Sequence, residues 1–163
     1  MIAYYLAIGL GRLISLLPFR ILYIFSDLLC FIVADVVKYR KEVIDANLKR
    51  SFPEKNESEI RSIRRAFYSN FTDLIVESFK SLSVSASTMR KRFKLLNPEV
   101  FQDLYDKDKG VIMVMGHYTN FEWTAMCIPL WVPNPCFAVY HPLNNKYFSK
   151  KIVQIREQFG LKL

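Results

Sequence analysis

The sequence has 163 residues, enough for one ordinary domain or part of one. It is 52% hydrophobic and 15% aromatic with a net charge of +8, a balance that suits an anionic membrane surface, an acidic protein partner or nucleic acid. Its three cysteines, Cys30, Cys127 and Cys136, are odd in number and form no C-x-x-C pair. No disulfide framework or zinc site follows from them, and buried reduced thiols in a cytosol-facing protein are the plain reading.

The chain opens on an apolar stretch, Ile2 to Leu17, interrupted only by Arg12 and Ser15. Pro18 and Arg20 break it, and a second apolar run follows from Ile21 to Val37, carrying Asp27 and Asp35. No basic n-region or small-residue cleavage site marks a signal peptide. At a helix centre an acidic residue costs roughly 2.5–3.5 kcal/mol, and each Leu, Ile, Phe or Val returns roughly 0.3–0.6. The eleven such residues of the second run therefore come close to balancing its two aspartates, and each run falls short of the ~20 residues a span requires. Residues 1–37 are expected to be membrane-anchoring helices, one inserted and the other lying at the interface. The alternative is a pair of core helices in a soluble domain, with Asp27 facing solvent.

The basic segment 38–55 contains Asn47-Leu48-Lys49-Arg50-Ser51-Phe52-Pro53-Glu54, and Pro53 ends or interrupts the helix before it. Asn56 with Glu59 has the form of a capping box. Ile60, Ile63, Phe67, Phe71, Leu74, Ile75 and Phe79 follow at spacings of three and four, which predicts an amphipathic helix with one buried stripe. Residues 81–88 form a Ser-rich connection. The cations of Met89-Arg90-Lys91-Arg92-Phe93-Lys94 suit a solvated face, with phosphate or acidic-partner contact as the alternative.

The last third changes character. Val111 to Met115 is a continuous apolar run of strand length, suited to a strand buried on both faces. Cys136 to Tyr140 is a second candidate strand among prolines. A helix is expected between them, starting near Asn120. Another, marked by Phe148, Ile152, Ile155 and Phe159, is closed by Gly160 in a C-cap position. The order strand, helix, strand, helix predicts an α/β fold with a mostly parallel sheet and flanking helices. Leu161-Lys162-Leu163 reads as the start of a third strand, so residues 38–163 are expected to be the N-terminal part of a domain whose sheet is incomplete.

The stretch Gly116-His117-Tyr118-Thr119-Asn120-Phe121-Glu122-Trp123 follows the first candidate strand directly. The carboxyl ends of parallel strands are where sites form. On one continuous helix His117 and Glu122 would lie about 140° apart. If His117 ends a strand and Glu122 sits in the first turn of the next helix, the bend can bring imidazole and carboxylate within hydrogen-bond reach. Asn120 is a good N-cap for that helix, and Glu122 suits its dipole. A His held by a carboxylate is equipped to deprotonate a hydroxyl. No G-x-S-x-G elbow is present, which favours direct attack by a substrate hydroxyl. The plainer alternative is a strand-end histidine with local hydrogen bonds.

The block Gly-His-Tyr-Thr-Asn-Phe-Glu-Trp resembles the G-H-x-G-N-[WF]-E block of the late acyltransferases of lipid A biosynthesis, in the lysophospholipid acyltransferase superfamily with its H-x-x-x-x-[DE] hallmark. The apolar N-terminus resembles that family's membrane anchor. Arg40, Asn47-Leu48 and Phe52-Pro53-Glu54 resemble its basic-residue, Asn-Leu and Phe-Pro-Glu segment, and Glu77 fits its layout. Tyr140-His141-Pro142-Leu143-Asn144-Asn145 is similar to a Y-R-P-L-x-N stretch, and Phe159-Gly160-Leu161 fits as well. Thr119 stands where the family usually has Gly, and His141 where Arg is common. The chain corresponds to about the first half of a typical member.

The resemblance implies acyl transfer from an acyl carrier protein or coenzyme A thioester to a hydroxyl of a lipid A precursor or related glycolipid, at the cytoplasmic face of an inner membrane. His117 would be the general base and Glu122 its orienting partner. Asn120, Tyr140 and His141 would contact substrate, with membrane lipid as a further partner and no metal or bound cofactor. Two rivals stand beside this expectation: a catalytically inactive membrane-associated fragment, and a basic nucleic-acid-binding module, against which the apolar N-terminus argues.

Overall fold

The computed structural model describes residues 2–163, with side chains described from Tyr4 onward. The chain divides into two compact units, Gly11–Lys80 and Met1–Leu10 with Ser81–Leu163. Helix α1 (Ile2–Leu16) contributes to both.

The unit of residues 11–80 is helical apart from short connections. After α1 come α2 (Phe19–Phe31), a π-helical turn (Ile32–Val36), α3 (Lys41–Ser51) and α4 (Glu57–Lys80). Helix α2 buries Leu22, Ser26 and Cys30, an i, i+4, i+8 row. Helix α4 meets it with Tyr68, Thr72 and Val76 on a row of the same kind, extended at its start by Ile60. The centre of this crossing is polar and small: Ser26 Oγ donates to Thr72 Oγ1 at 3.1 Å, with the two residues 1% and 0% exposed. Small side chains there let two helices approach closely, and their hydroxyls satisfy each other. Tyr23 donates to Glu77 Oε1 at 2.8 Å, and Tyr68 to the carbonyl of Tyr39 at 2.8 Å. Lys80 Nζ donates to the carbonyls of Ser15 and Leu17, closing the end of α1.

The capping and stop signals of this segment are realised. Asn56 Oδ1 accepts from the Glu59 amide, and Glu59 Oε2 accepts from the Asn56 amide, a reciprocal capping box. Helix α3 stops at Ser51, and Phe52 before Pro53 leaves the helical region with φ −132° and ψ 64°. The buried face of α4 is rotated from the expected stripe, because Phe67 and Phe79 are exposed while Tyr68, Thr72 and Val76 are buried. The small crossing with α2, not apolarity alone, selects the inner row. Asp27 faces solvent. Among the described residues no helix is long and apolar enough to cross a membrane.

The other unit holds α5 (Ala86–Arg92), α6 (Pro98–Asp106), α7 (Phe121–Cys127) with a 3₁₀ turn (Ile128–Leu130), and α8 (Lys146–Glu157). Ser85 caps α5 through its hydroxyl, and Asn145 caps α8 by accepting from the amides of Tyr147 and Phe148. Gly160 follows α8 with φ +106°, a left-handed conformation that favours glycine. Trp123, Met126, Cys127, Ile128 and Leu161 form its buried centre, to which Met89 and Val84 add. Near the other end of α8, Phe148 packs edge-on against Tyr4 at 5.2 Å.

The expected parallel sheet is not formed among the described residues, which are mostly helical and contain no strand. A strand needs a ladder partner, and the backbone of Val111–Met115 makes no backbone hydrogen bond there. Ile112 and Val114 are 93% and 90% exposed, so this run is not buried on either face. The second and third candidate strands do meet, in one isolated parallel bridge between Phe137 and Lys162. The Ala138 amide donates to the Lys162 carbonyl at 2.9 Å, and the Lys162 amide to the Cys136 carbonyl at 3.0 Å.

Candidate active site

The His117 block lies where residues 111–120, outside any helix, lead into α7. Thr119 has φ +47°, a left-handed conformation uncommon for a residue with a branched Cβ. Its place in the family block is usually taken by Gly, so the backbone keeps the shape that glycine would suit. Asn120 then caps α7: its Oδ1 accepts from the Trp123 amide at 3.0 Å. Trp123 is buried and its indole donates to Ser81 Oγ at 2.9 Å. The start of α7 is thus fixed by the Asn120 cap and the Trp123–Ser81 hydrogen bond, which leaves Glu122 held on its first turn.

Glu122 is gripped by a residue that the sequence reading did not single out. Arg156 on α8 donates from Nε to Oε2 at 2.9 Å and from Nη2 to Oε1 at 2.5 Å. This is the forked guanidinium–carboxylate geometry, stronger and more directional than a single ion pair. The guanidinium also lies 6.0 Å from the ring centroid of Tyr140. Glu122, Arg156 and Tyr140 therefore form one cluster. Arg156 stands 34 residues from Glu122 in sequence, and its only local signal is its neighbour Ile155 in the apolar stripe of α8.

His117 is exposed, and its ring packs on Phe121 at 4.3 Å between centroids. No hydrogen bond joins His117 to Glu122 among the described residues. His141 is also exposed, with Nδ1 3.0 Å from the Pro142 carbonyl. Of the five residues singled out from the sequence, the structure thus groups Glu122 with Tyr140, uses Asn120 as a cap, and leaves His117 and His141 at the surface. A carboxylate offers about four acceptor sites and the Arg156 fork takes two of them, so Glu122 keeps lone pairs for an imidazole N–H.

The thiols near this cluster are unreactive in type. Burial pushes the Cys127 pKa up to about 12, and burial also raises that of Cys136. Neither has the cationic environment of a nucleophilic cysteine.

The segment 40–48, which carries much of the resemblance outside the His block, lines a groove in the unit of residues 11–80. Arg40, Asn47 and Leu48 border it together with Tyr39, Phe67 and Phe71. The rings of Phe67 and Phe71, and of Phe71 and Tyr39, are nearly parallel, with interplanar angles of 8° in both pairs. Motif residues and the exposed aromatics of α4 thus share one apolar surface, which accounts for the exposure of Phe67.

Comparison with known families gives a match over residues 1–163, the whole sequence, to the model of bacterial lipid A biosynthesis acyltransferases. In class the protein is an acyltransferase. It belongs to the bacterial lipid A biosynthesis acyltransferase family. No curated protein and no solved structure matches it significantly.

Proposed function

We propose that the chain transfers a fatty acyl group from an acyl carrier protein or coenzyme A thioester to a hydroxyl of a lipid A precursor or related glycolipid. His117 is the general base. Its unprotonated ring nitrogen takes the hydroxyl proton as the oxygen attacks the thioester carbonyl. The C–S bond then breaks, and the imidazolium returns the proton to the departing thiolate. A positioned base of this kind contributes roughly 10²–10⁴-fold. Glu122 orients the imidazole and stabilises its protonated form, and Arg156 is a positioning residue acting through Glu122. Tyr140 and His141 face the substrate, with Arg156 supplying a fixed cation beside them.

The observation that carries this reading is the anchored carboxylate: Glu122, five residues after His117, is fixed by the Asn120 cap and the Arg156 fork with lone pairs to spare. The finer architecture belongs to the same proposal. In it residues 136–140 and 161–163, which meet in the parallel bridge at Phe137, begin a parallel sheet that residues 111–115 would join. In it His117 closes on Glu122 as Val111–Met115 takes its place in that sheet.

We place the reaction at the cytoplasmic face of the inner membrane, with residues 1–37 as the anchor. Helix α2 supports this. Opposite its buried row, Ile21, Ile24, Phe25, Leu28 and Phe31 form an exposed stripe at helical spacing. Arg20 flanks the stripe at one end, and Lys38, Arg40 and Lys41 at the other. An apolar face bracketed by cations is the pattern of a helix lying in a membrane interface.

A second reading, a membrane-associated but catalytically inactive protein, is favoured by one observation: His117 and Glu122 share no hydrogen bond. Acyl transfer by the full chain, assayed with a long-chain acyl thioester and a glycolipid acceptor in mixed micelles, separates the two. Turnover that falls at least about a hundredfold in His117→Ala supports the first reading. Absence of turnover in the unaltered chain supports the second.

A further inference from the structure

A second concave site lies within the unit of residues 11–80 and is built from cations. It is a cavity of about 210 Å³ between the π-helical turn, the start of α3 and the middle of α4. A single water needs only roughly 10–15 Å³ on this measure, so the space takes a group larger than a solvent molecule. Lys38, Lys41, Arg61, Arg64 and Arg65 line it against one carboxylate, Asp35.

Two of the five cations are already neutralised. Arg65 donates to Asp35 at 2.6 Å, and Arg64 donates to both oxygens of Asp45 at 2.5 and 2.6 Å. Among the described residues Lys38, Lys41 and Arg61 make no side-chain hydrogen bond and no ion pair. Arg61 is felt only as a longer-range charge by Glu57. Three cations therefore converge on a concave space with no anion of the protein to answer them.

The backbone is shaped to bring them there. The π-turn places the Val37 amide on the Ile32 carbonyl at 2.8 Å and the Tyr39 amide on the Val33 carbonyl at 2.9 Å. Lys38 and Arg40 then take left-handed conformations, with φ 53° and 50°. Such conformations cost roughly 1–3 kcal/mol each for ordinary residues. They reverse the chain so that Lys38 and Lys41 line the same cavity, and Lys41 opens α3, whose positive dipole end adds to the field. In the same turn Val36 and Val37 are exposed, so an apolar edge adjoins the cations in sequence.

We propose that this cavity is a phosphate-binding site, with Lys38, Lys41 and Arg61 as the groups that hold the anion and the ion-paired Arg64 and Arg65 as its wall. A small concave site with three unanswered cations matches a compact, multiply charged oxyanion. The adjoining valines suit a phosphate carried on a lipid headgroup; free phosphate has the same chemistry. The site is independent of His117 and of acyl transfer.

The test measures binding by the full chain, in two arms: cosedimentation with phosphatidylcholine vesicles containing phosphatidic acid, and titration with inorganic phosphate followed by NMR. The variants are Lys41→Gln with Arg61→Gln, and separately Lys38→Gly, which removes the ammonium while keeping a residue at ease with positive φ. The control is Lys109→Ala with Lys150→Ala, which removes two exposed cations elsewhere. Weakening of phosphatidic acid binding by about ten- to thirtyfold in the cavity variants and not in the control is the expected result. Loss confined to the vesicle arm assigns the phosphate to a lipid, and loss confined to the titration assigns it to a soluble ion. Equal affinity of cavity variants and control in both arms overturns the proposal.

Discussion

Arg156 holds Glu122 through two parallel hydrogen bonds, so the carboxylate at the head of α7 is fixed by a side chain from α8. Both residues are partly exposed, so the pair contributes to stability only on the order of 1 kcal/mol or less. In the proposed mechanism its effect falls on catalysis. Arg156→Ala is expected to lower kcat by about ten- to a hundredfold with a smaller change in KM, and to alter the pH profile of kcat. Arg156→Lys, which keeps the charge but not the fork, is expected to recover only part of the loss. Steady-state kinetics across pH checks this, and an unchanged profile would remove Arg156 from the machinery.

Ser26 and Thr72 meet where α2 crosses α4, with no room between them. Ser26→Leu is expected to destabilise the protein by about 1–3 kcal/mol through overpacking. Ser26→Ala should cost less, about 0.5–1.5 kcal/mol, because Thr72 also lies within hydrogen-bond distance of the Tyr68 and Ser69 carbonyls. Chemical unfolding of the two variants measures the difference.

Two capping residues were legible in the sequence because each acts within three positions: Asn56 with Glu59 and Asn120 with Trp123. Pro53 and Gly160 were legible because each fixes or favours its own backbone state. What depends on a distant partner was not. The inner row of α4 follows from Ser26, 46 positions away, and the fork on Glu122 from Arg156. Helix α6 was not anticipated, although Asn97, Pro98 and Glu99 are ordinary starting residues. The expected strand at Val111–Met115 rested on apolarity alone, and apolarity does not provide the neighbour on which a ladder depends.

Cys127 is fully buried and its pKa is pushed up to about 12 from 9.0. Iodoacetamide at pH 8 should therefore leave it unmodified in the native protein and modify it after denaturation, as peptide mass spectrometry would show. The same shift has a stability consequence. The unfolded chain loses this proton near pH 9 while the folded chain retains it to about pH 12. The contribution is thus intact below pH 9 and is lost progressively as pH rises from about 9 to about 12. A Cys127→Ala variant should show a shallower decline over that window.

The exposed stripe of α2 should govern attachment to lipid. Ile24→Glu with Leu28→Glu alters the outer face and leaves Leu22, Ser26 and Cys30 in place. Binding to neutral phosphatidylcholine vesicles is expected to weaken at least about tenfold, since each fully buried side chain of this type is worth roughly 1.5–3 kcal/mol. The circular dichroism of the variant should match that of the parent. Undiminished vesicle binding would assign attachment to another surface.

The rate of acyl transfer by the unaltered chain, His117→Ala, Glu122→Gln and the double variant tests the proposed pair most directly. Groups that act as one unit lose their effect together. The double variant should therefore be about as slow as His117→Ala alone, which itself falls about 10²–10⁴-fold. A His117→Ala variant as fast as the parent, or losses that multiply in the double variant, would contradict a base formed by these two side chains.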